Sequence, residues 1–265
     1  MLAASDGGGR ILAGGQSLMP ALNLRLAKPD FLVDLGRVPG LADITFEGDR
    51  VRMGAMVTHA EIVASDALHA RLPVFQMAGL HIAHSTIREH GTIGGSLALA
   101  DPASEWPAIL VLLRGRVCAK SVRGERWIDA DAFIVSFYTT ALEPDEIITQ
   151  VEFPLPVSEV RYGFEEFSRQ YGAFAIALAA VAATLKPDGS VGGIEVVVGG
   201  CGPRPARLAV PNLPALEQLG RVVGEAFDAA GLKPTTDIHA SSEDRRDIAA
   251  ALVRKCIARV AQKAG

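Results

Sequence analysis

The sequence predicts an α+β chain of two domains, a larger one over residues 1–156 and a smaller one over 161–263. Three observations carry this. Short alternating segments joined by tight turns recur through the first half. The double proline Pro154-Leu155-Pro156 then ends ladder pairing and stiffens the exit of the chain. Beyond it, a long alternating segment leads into two helical patterns. Strand and helix alternate too irregularly in the first half for a parallel sheet of βαβ units. At 265 residues, 49% of them hydrophobic, the chain can bury a substantial core.

The elements follow in order. After a polar lead over residues 1–9, Arg10-Ile11-Leu12-Ala13 reads as a short strand opening into Gly14-Gly15-Gln16-Ser17-Leu18. Pro29 to Leu35 is a buried strand, and Val38-Pro39-Gly40-Leu41 a turn. Ile44-Thr45-Phe46 and Val51 to Ala55 flank Glu47-Gly48-Asp49-Arg50 as a hairpin. Thr58 and Glu61 make a capping box that starts a helix, and a second helix starts at Pro73. Asp101 reads as the N-cap, and Pro102 as the first residue, of the buried helix containing Ala108 to Leu113. Arg116 to Ser121 and Glu125 to Ile128 form another hairpin, and Ile147 to Phe153 a further strand. In Ala173 to Leu185 a two-residue period favours a strand, while the alanine content equally suits a helix. Val191 to Gly199 is its antiparallel partner across the turn Pro187-Asp188-Gly189-Ser190. Helices over Pro214 to Ala229 and Ser242 to Ala261 close the chain, with Arg245, Arg246, Arg254 and Lys255 on a solvated face of the last.

Function points to the glycines. Gly14-Gly15 and Gly91-Thr92-Ile93-Gly94-Gly95-Ser96 allow close backbone approach with N–H groups exposed, so each is a candidate anion cradle. Two cradles suit a dinucleotide with its pyrophosphate. Neither has the G-x-G-x-x-G spacing, which disfavours a Rossmann domain, and Met19 stands where a nucleophile elbow needs glycine after Ser17. His81 and His84 lack a carboxylate partner and read as packing or capping residues; His90 beside Gly91 either touches a bound cofactor or ends a turn. No metal set, general base or nucleophile is evident. A net charge of −4 and no basic stripe disfavour nucleic acid. With no secretory h-region and no long apolar run, a cytoplasmic location is expected. Cys118, Cys201 and Cys256 are scattered and support neither a disulfide framework nor a cluster or zinc site.

Leu12-Ala13-Gly14-Gly15-Gln16-Ser17-Leu18, Gly91 to Ala98 with Ala100-Asp101-Pro102, Leu142 to Ile148, and Gly172-Ala173-Phe174-Ala175 together resemble the FAD-binding medium subunits of the molybdenum hydroxylases. That family includes the medium subunit of aerobic carbon monoxide dehydrogenase and the flavin domain of xanthine dehydrogenase, and the likeness covers essentially the whole chain. The resemblance implies an FAD-binding PCMH-type domain of the vanillyl-alcohol-oxidase kind over 1–156, followed by a C-terminal α+β domain of the carbon monoxide dehydrogenase flavoprotein type. It implies that Ala13, Gly14, Gly15, Gln16, Ser17 and Leu18, with Thr92, Ile93, Gly94, Gly95 and Ser96, wrap the FAD pyrophosphate. Asp101 or Glu105 would supply a polar contact, and Tyr171 would approach the isoalloxazine. Two departures are a short lead before Gly14, expected to reflect a truncated start or an incomplete first subdomain, and Ala173 where relatives often carry an acid. The resemblance further implies a large molybdenum-cofactor subunit, a small [2Fe-2S] subunit, and delivery of electrons through FAD to quinone, NAD or oxygen. A stand-alone flavin oxidase or a flavin-binding module of the same fold is the alternative.

Overall fold

The computed structural model describes Leu2, residues 7–210 and residues 218–261. Among these, the strands are β1 (Gly9–Leu12), β2 (Phe31–Asp34), β3 (Ile44–Glu47), β4 (Arg50–Gly54), β5 (Arg116–Ser121), β6 (Gly124–Asp129), β7 (Ile134–Ser136), β8 (Thr139–Thr140), β9 (Ile147–Pro154), β10 (Val160–Phe167), β11 (Ala177–Leu185), β12 (Val191–Gly199) and β13 (Ala206–Leu208). The helices are α1 (Leu18–Asn23), α2 (His59–Ala64), α3 (Asp66–His69), α4 (Val74–Gly79), α5 (Ser85–Arg88), α6 (Ile93–Leu99), α7 (Glu105–Leu112), α8 (Ala130–Phe133), α9 (Leu219–Ala229) and α10 (Ser242–Ala261).

Among the described residues these strands make four sheets. β1 and β2 pair in parallel, and β7 and β8 antiparallel. A five-stranded antiparallel sheet runs in the order β3-β4-β9-β5-β6, so both predicted hairpins flank the strand that ends at Pro154. A four-stranded antiparallel sheet runs β10-β11-β12-β13 and begins at Val160.

Packing explains the ambiguous alanine segment. Leu178 and Ala180 join the core of the first half with Phe75, Trp106 and Phe153, whereas Ala177, Ala179, Val181 and Ala183 join a second core with α9 and α10. A strand covered on both faces has no polar side, and small side chains let helices approach each face closely. The strand expectation therefore holds from Ala177, but Ala173 to Ile176 lie outside it in the loop after Gly172, which has φ +79°. α7 sits between the two halves with every residue buried, because it meets α4 and α6 on one side and the four-stranded sheet on the other.

Two further expectations are corrected. Asp101 is not an N-cap, and Pro102 is not helical: α7 starts at Glu105 behind Ser104. Asp101 instead follows Ala100, the left-handed end of α6 (φ 52°), and its Oδ1 accepts from the Ala103 N–H at 2.8 Å, a local turn that competes with capping. Arg245 is buried rather than solvated, since its guanidinium donates to the Ile176 carbonyl and to Asp237 Oδ2, each at 2.6 Å. Pro214 to Glu217 of the expected penultimate helix fall outside the described residues, and the helix described there begins at Leu219.

Candidate functional site

The two glycine segments meet. β1 delivers Ala13 and Gly14 against the second loop so closely that a Cβ on Gly14 would collide with the His90 carbonyl. A Cβ on Gly95 would stand 3.0 Å from Thr92 Oγ1 and 3.4 Å from the Ala13 Cβ. Gly15 has φ +73°, a left-handed turn that glycine adopts without strain. Gln16 Nε2 donates back to the Gly14 carbonyl at 3.1 Å, and Ser17 heads α1 with no side-chain cap bond of its own.

The second loop is held from beneath. Thr92 caps α6 and accepts from the Gly95 N–H at 3.1 Å. The Ile93 and Gly94 N–H groups donate to the Val57 and Ala55 carbonyls at 3.0 and 2.9 Å, and the His59 N–H donates to the Gly91 carbonyl at 2.9 Å. His59 also lies under Gly91 and accepts from Trp106 Nε1 through Nδ1 at 2.8 Å. Burial, assisted by the charge of Arg88, lowers His59 to about 4, so it stands neutral in the floor.

The donors on the two loops differ. Gly94 and Gly95 spend their N–H groups on the fold, whereas the backbone N–H groups of Gly14, Gly15, Gln16, Ser17 and Leu18 donate to no group among the described residues. Five consecutive free donors around a left-handed glycine are the groups an anion receptor needs, and Gly95 and Ser96 of the second loop are half-exposed. A phosphate-bearing nucleotide fits this donor set.

Beyond α6 the remaining predicted residues divide. Asp101 is buried; burial raises its pKa, against the opposing effect of the Ala103 N–H and of the Tyr138 hydroxyl, which donates to Oδ2 at 3.2 Å. Glu105 is buried in the first turn of α7 against Glu166 of β10. Tyr171 is exposed, its ring centroid 5.3 Å from that of His84. Sequence reading did not single out Tyr138 or Glu166, and it set Arg245 on a solvated face. Phe137, Tyr138 and Phe174 are exposed aromatics that line, with Asp101, Arg169 and Arg245, a cleft of about 470 Å³ between the two halves. The available signal was Phe137-Tyr138, adjacent aromatics in a turn-rich stretch, both of them exposed.

Free backbone donors at Gly14 to Leu18 are what a phosphate-bearing cofactor requires, and the comparisons say which cofactor the family binds. Residues 1–156 match the family described as the FAD binding domain in molybdopterin dehydrogenase, and residues 162–260 the CO dehydrogenase flavoprotein C-terminal domain. The chain is 42% identical over 262 residues to the nicotine 6-hydroxylase medium subunit of Paenarthrobacter nicotinovorans, covering 97% of this chain and 91% of that one. It is 34% identical to the carbon monoxide dehydrogenase medium chain of Afipia carboxidovorans, covering 96% and 90%. Among solved structures, quinoline 2-oxidoreductase from Pseudomonas putida 86 superposes with a TM-score of 0.91 at 31% identity, covering 98% of this chain and 91% of that chain. The chain belongs to the family of FAD-binding medium subunits of molybdenum hydroxylases, as the resemblance implied. It is an FAD-binding oxidoreductase subunit of a heteromeric complex. No helix among the described residues is long and apolar enough to cross a membrane.

Proposed function

We propose that this chain holds FAD at the electron exit of a molybdenum hydroxylase complex, between the [2Fe-2S] clusters of a small subunit and an external acceptor, while a large molybdenum-cofactor subunit hydroxylates the substrate. The observation that supports this reading best is the run of free N–H groups from Gly14 to Leu18, backed by the second glycine loop. In it, Ala13 to Leu18 and Thr92 to Ser96 cradle the pyrophosphate within a domain spanning 1–156. Asp101 or Glu105 supplies a polar contact, and Tyr171 stands at the flavin edge of the second domain, 161–263. Flavin, when bound, supplies the redox chemistry, accepting electrons singly and releasing them as a pair. The protein binds it, orients it and excludes water, which is why the chain needs no nucleophile or metal of its own. We place the complex in the cytoplasm.

The test is purification of the chain from its source. The expected product is yellow, releases flavin on denaturation, and comes with a large and a small chain carrying molybdenum and iron. A colourless chain that takes up no FAD removes the cradle, and a yellow chain that oxidises a substrate alone selects a stand-alone oxidase. Tyr171→Phe is expected to change acceptor kinetics more than substrate hydroxylation.

A further inference from the structure

α1 follows directly on the free donors of the first glycine segment, yet none of its residues is buried, although Leu18, Met19, Pro20, Ala21 and Leu22 make it apolar. Met19 and Pro20 are exposed, and so is Leu24, one turn after Pro20 on the same side of the helix. The helix then ends in an ordered turn. The Arg25 N–H donates to the Leu22 carbonyl at 3.0 Å and the Leu26 N–H to the Ala21 carbonyl at 2.8 Å, the two bonds that close a helix around a left-handed residue. That residue is Arg25, with φ 58°, where glycine would sit without strain. In such an ending the residue after the left-handed one usually tucks against the helix, but Leu26 is 79% exposed and Leu24, on the other side of Arg25, is 71% exposed. The Arg25 guanidinium has no partner among the described residues.

Single leucines in water are ordinary on a protein surface; two held out on either side of a strained, unpaired arginine are not. Arginine, methionine and large apolar side chains are what the centre of a subunit interface uses. We infer, on the function proposed above, that the turn Leu24-Arg25-Leu26 with Met19 is the docking surface for the small [2Fe-2S] subunit, which meets it with an apolar face carrying a carboxylate opposite Arg25. Position selects this occupant. The chain is a subunit of a heteromeric complex, and α1 runs from Leu18, the last of the free donors, to a point about 9 Å further on at 1.5 Å per residue. A subunit seated there approaches the cofactor. The small subunit is the one that hands electrons to flavin, whereas the large subunit passes its own to the clusters. A second copy of this chain fits less well, since a two-fold contact centred on the turn sets the two Arg25 guanidinium groups together. A carboxylate on the partner gives Arg25 the paired geometry that arginine makes best.

The test uses the complex purified from its source through a tag on this chain, with Arg25→Gly and Leu24→Glu as variants. Arg25→Gly removes the charge and the strain together, so the variant chain should melt at or above the native temperature. Its Kd for the purified small chain should nevertheless rise roughly tenfold, and that of Leu24→Glu at least as much, with flavin content unchanged in both. Added salt should weaken the native contact more steeply than that of Arg25→Gly. Native affinity for the small chain in both variants, loss of the large chain alone, or parallel salt slopes overturns the proposal. So does a lower Tm of Leu24→Glu at native affinity, which would mean that the chain covers the face itself, and so does self-association of the native chain that either variant abolishes. A native chain that carries no [2Fe-2S] subunit removes the proposed function and the docking surface together; a native complex whose small chain the variants keep removes the surface only.

Discussion

At the scale of single residues, the two glycines of the Thr-Ile-Gly-Gly loop do different work. A Cβ on Gly94 would press 2.6 Å from the Ala55 Cβ and carbonyl oxygen, so this glycine serves the packing beneath the loop. Gly95 is half-exposed and meets only Thr92 and Ala13. Gly94→Val should therefore lower Tm and flavin content together, whereas Gly95→Val should cost flavin at a Tm much closer to the native value; a thermal melt beside an absorbance ratio separates the two. Ser17 has no cap bond, which leaves its hydroxyl free for the cofactor. Ser17→Ala should weaken FAD binding by about 1 kcal/mol, roughly fivefold in Kd by calorimetry. His59 carries a pH prediction. Its folded pKa of about 4 lies below the unfolded value, so its contribution is intact above pH 6.5 and is lost as pH falls. Acidification to pH 5 should cost about 2 kcal/mol by denaturant melts. His59→Gln, which can still accept from Trp106, should lose that part of the slope.

Among the elements, the five-stranded sheet is fastened on one face by a single acid. Glu152 of β9 is fully buried and receives Arg50 at 2.8 Å, Arg52 at 2.7 Å and Arg116 at 2.7 Å, while Arg52 and Arg116 also lie over the Trp127 ring. Burial opposes its charge, yet hydrogen bonds from Arg116 and Arg52 hold its pKa below the ordinary carboxylate value. Glu152→Gln would leave three guanidinium groups facing one another, and a loss of about 3 kcal/mol is expected from urea melts in low salt. The strands of this sheet were legible in the sequence because each hairpin alternates around a turn of Gly, Asp or Arg, and the capping box at Thr58 is realised with both of its bonds. What could not be read is where helices begin when several residues compete. Asp101, Thr92 and Ser104 are all cap-forming types, and only the fold decides that Thr92 caps α6, Ser104 precedes α7, and Asp101 closes a turn between them. The turn at Gly14-Gly15 was legible because paired glycines permit the left-handed φ and the close backbone approach found there. The cleft between the two halves was not, since Asp101, Phe174 and Arg245 converge only through the packing of β11 and α10.

For the molecule as a whole, the decisive quantity is how firmly the two halves hold each other without the chain between them. The connection over residues 155–159 is accessible, with Val157 at 98% exposure, and is the natural point for limited proteolysis. The junction it spans is not loop-like. Tyr162, Phe164, Leu178, Ala180 and Val197 of the second half share one core with Phe75, Trp106, Ile109 and Phe153 of the first. The Gly200 N–H donates to the Pro102 carbonyl at 2.8 Å, and Arg207 Nη2 donates to the Val111 carbonyl. At roughly 1.5–3 kcal/mol for each large buried side chain, this core supplies on the order of 10 kcal/mol. That exceeds the lower estimates of the cost of associating two bodies. Protein cut once in the 155–159 connection should accordingly elute from a sizing column as one particle containing both fragments, with its flavin retained, and should separate only in denaturant. Fragments that part in buffer at neutral pH would mean that the junction is held by the connection and not by α7 and the four-stranded sheet.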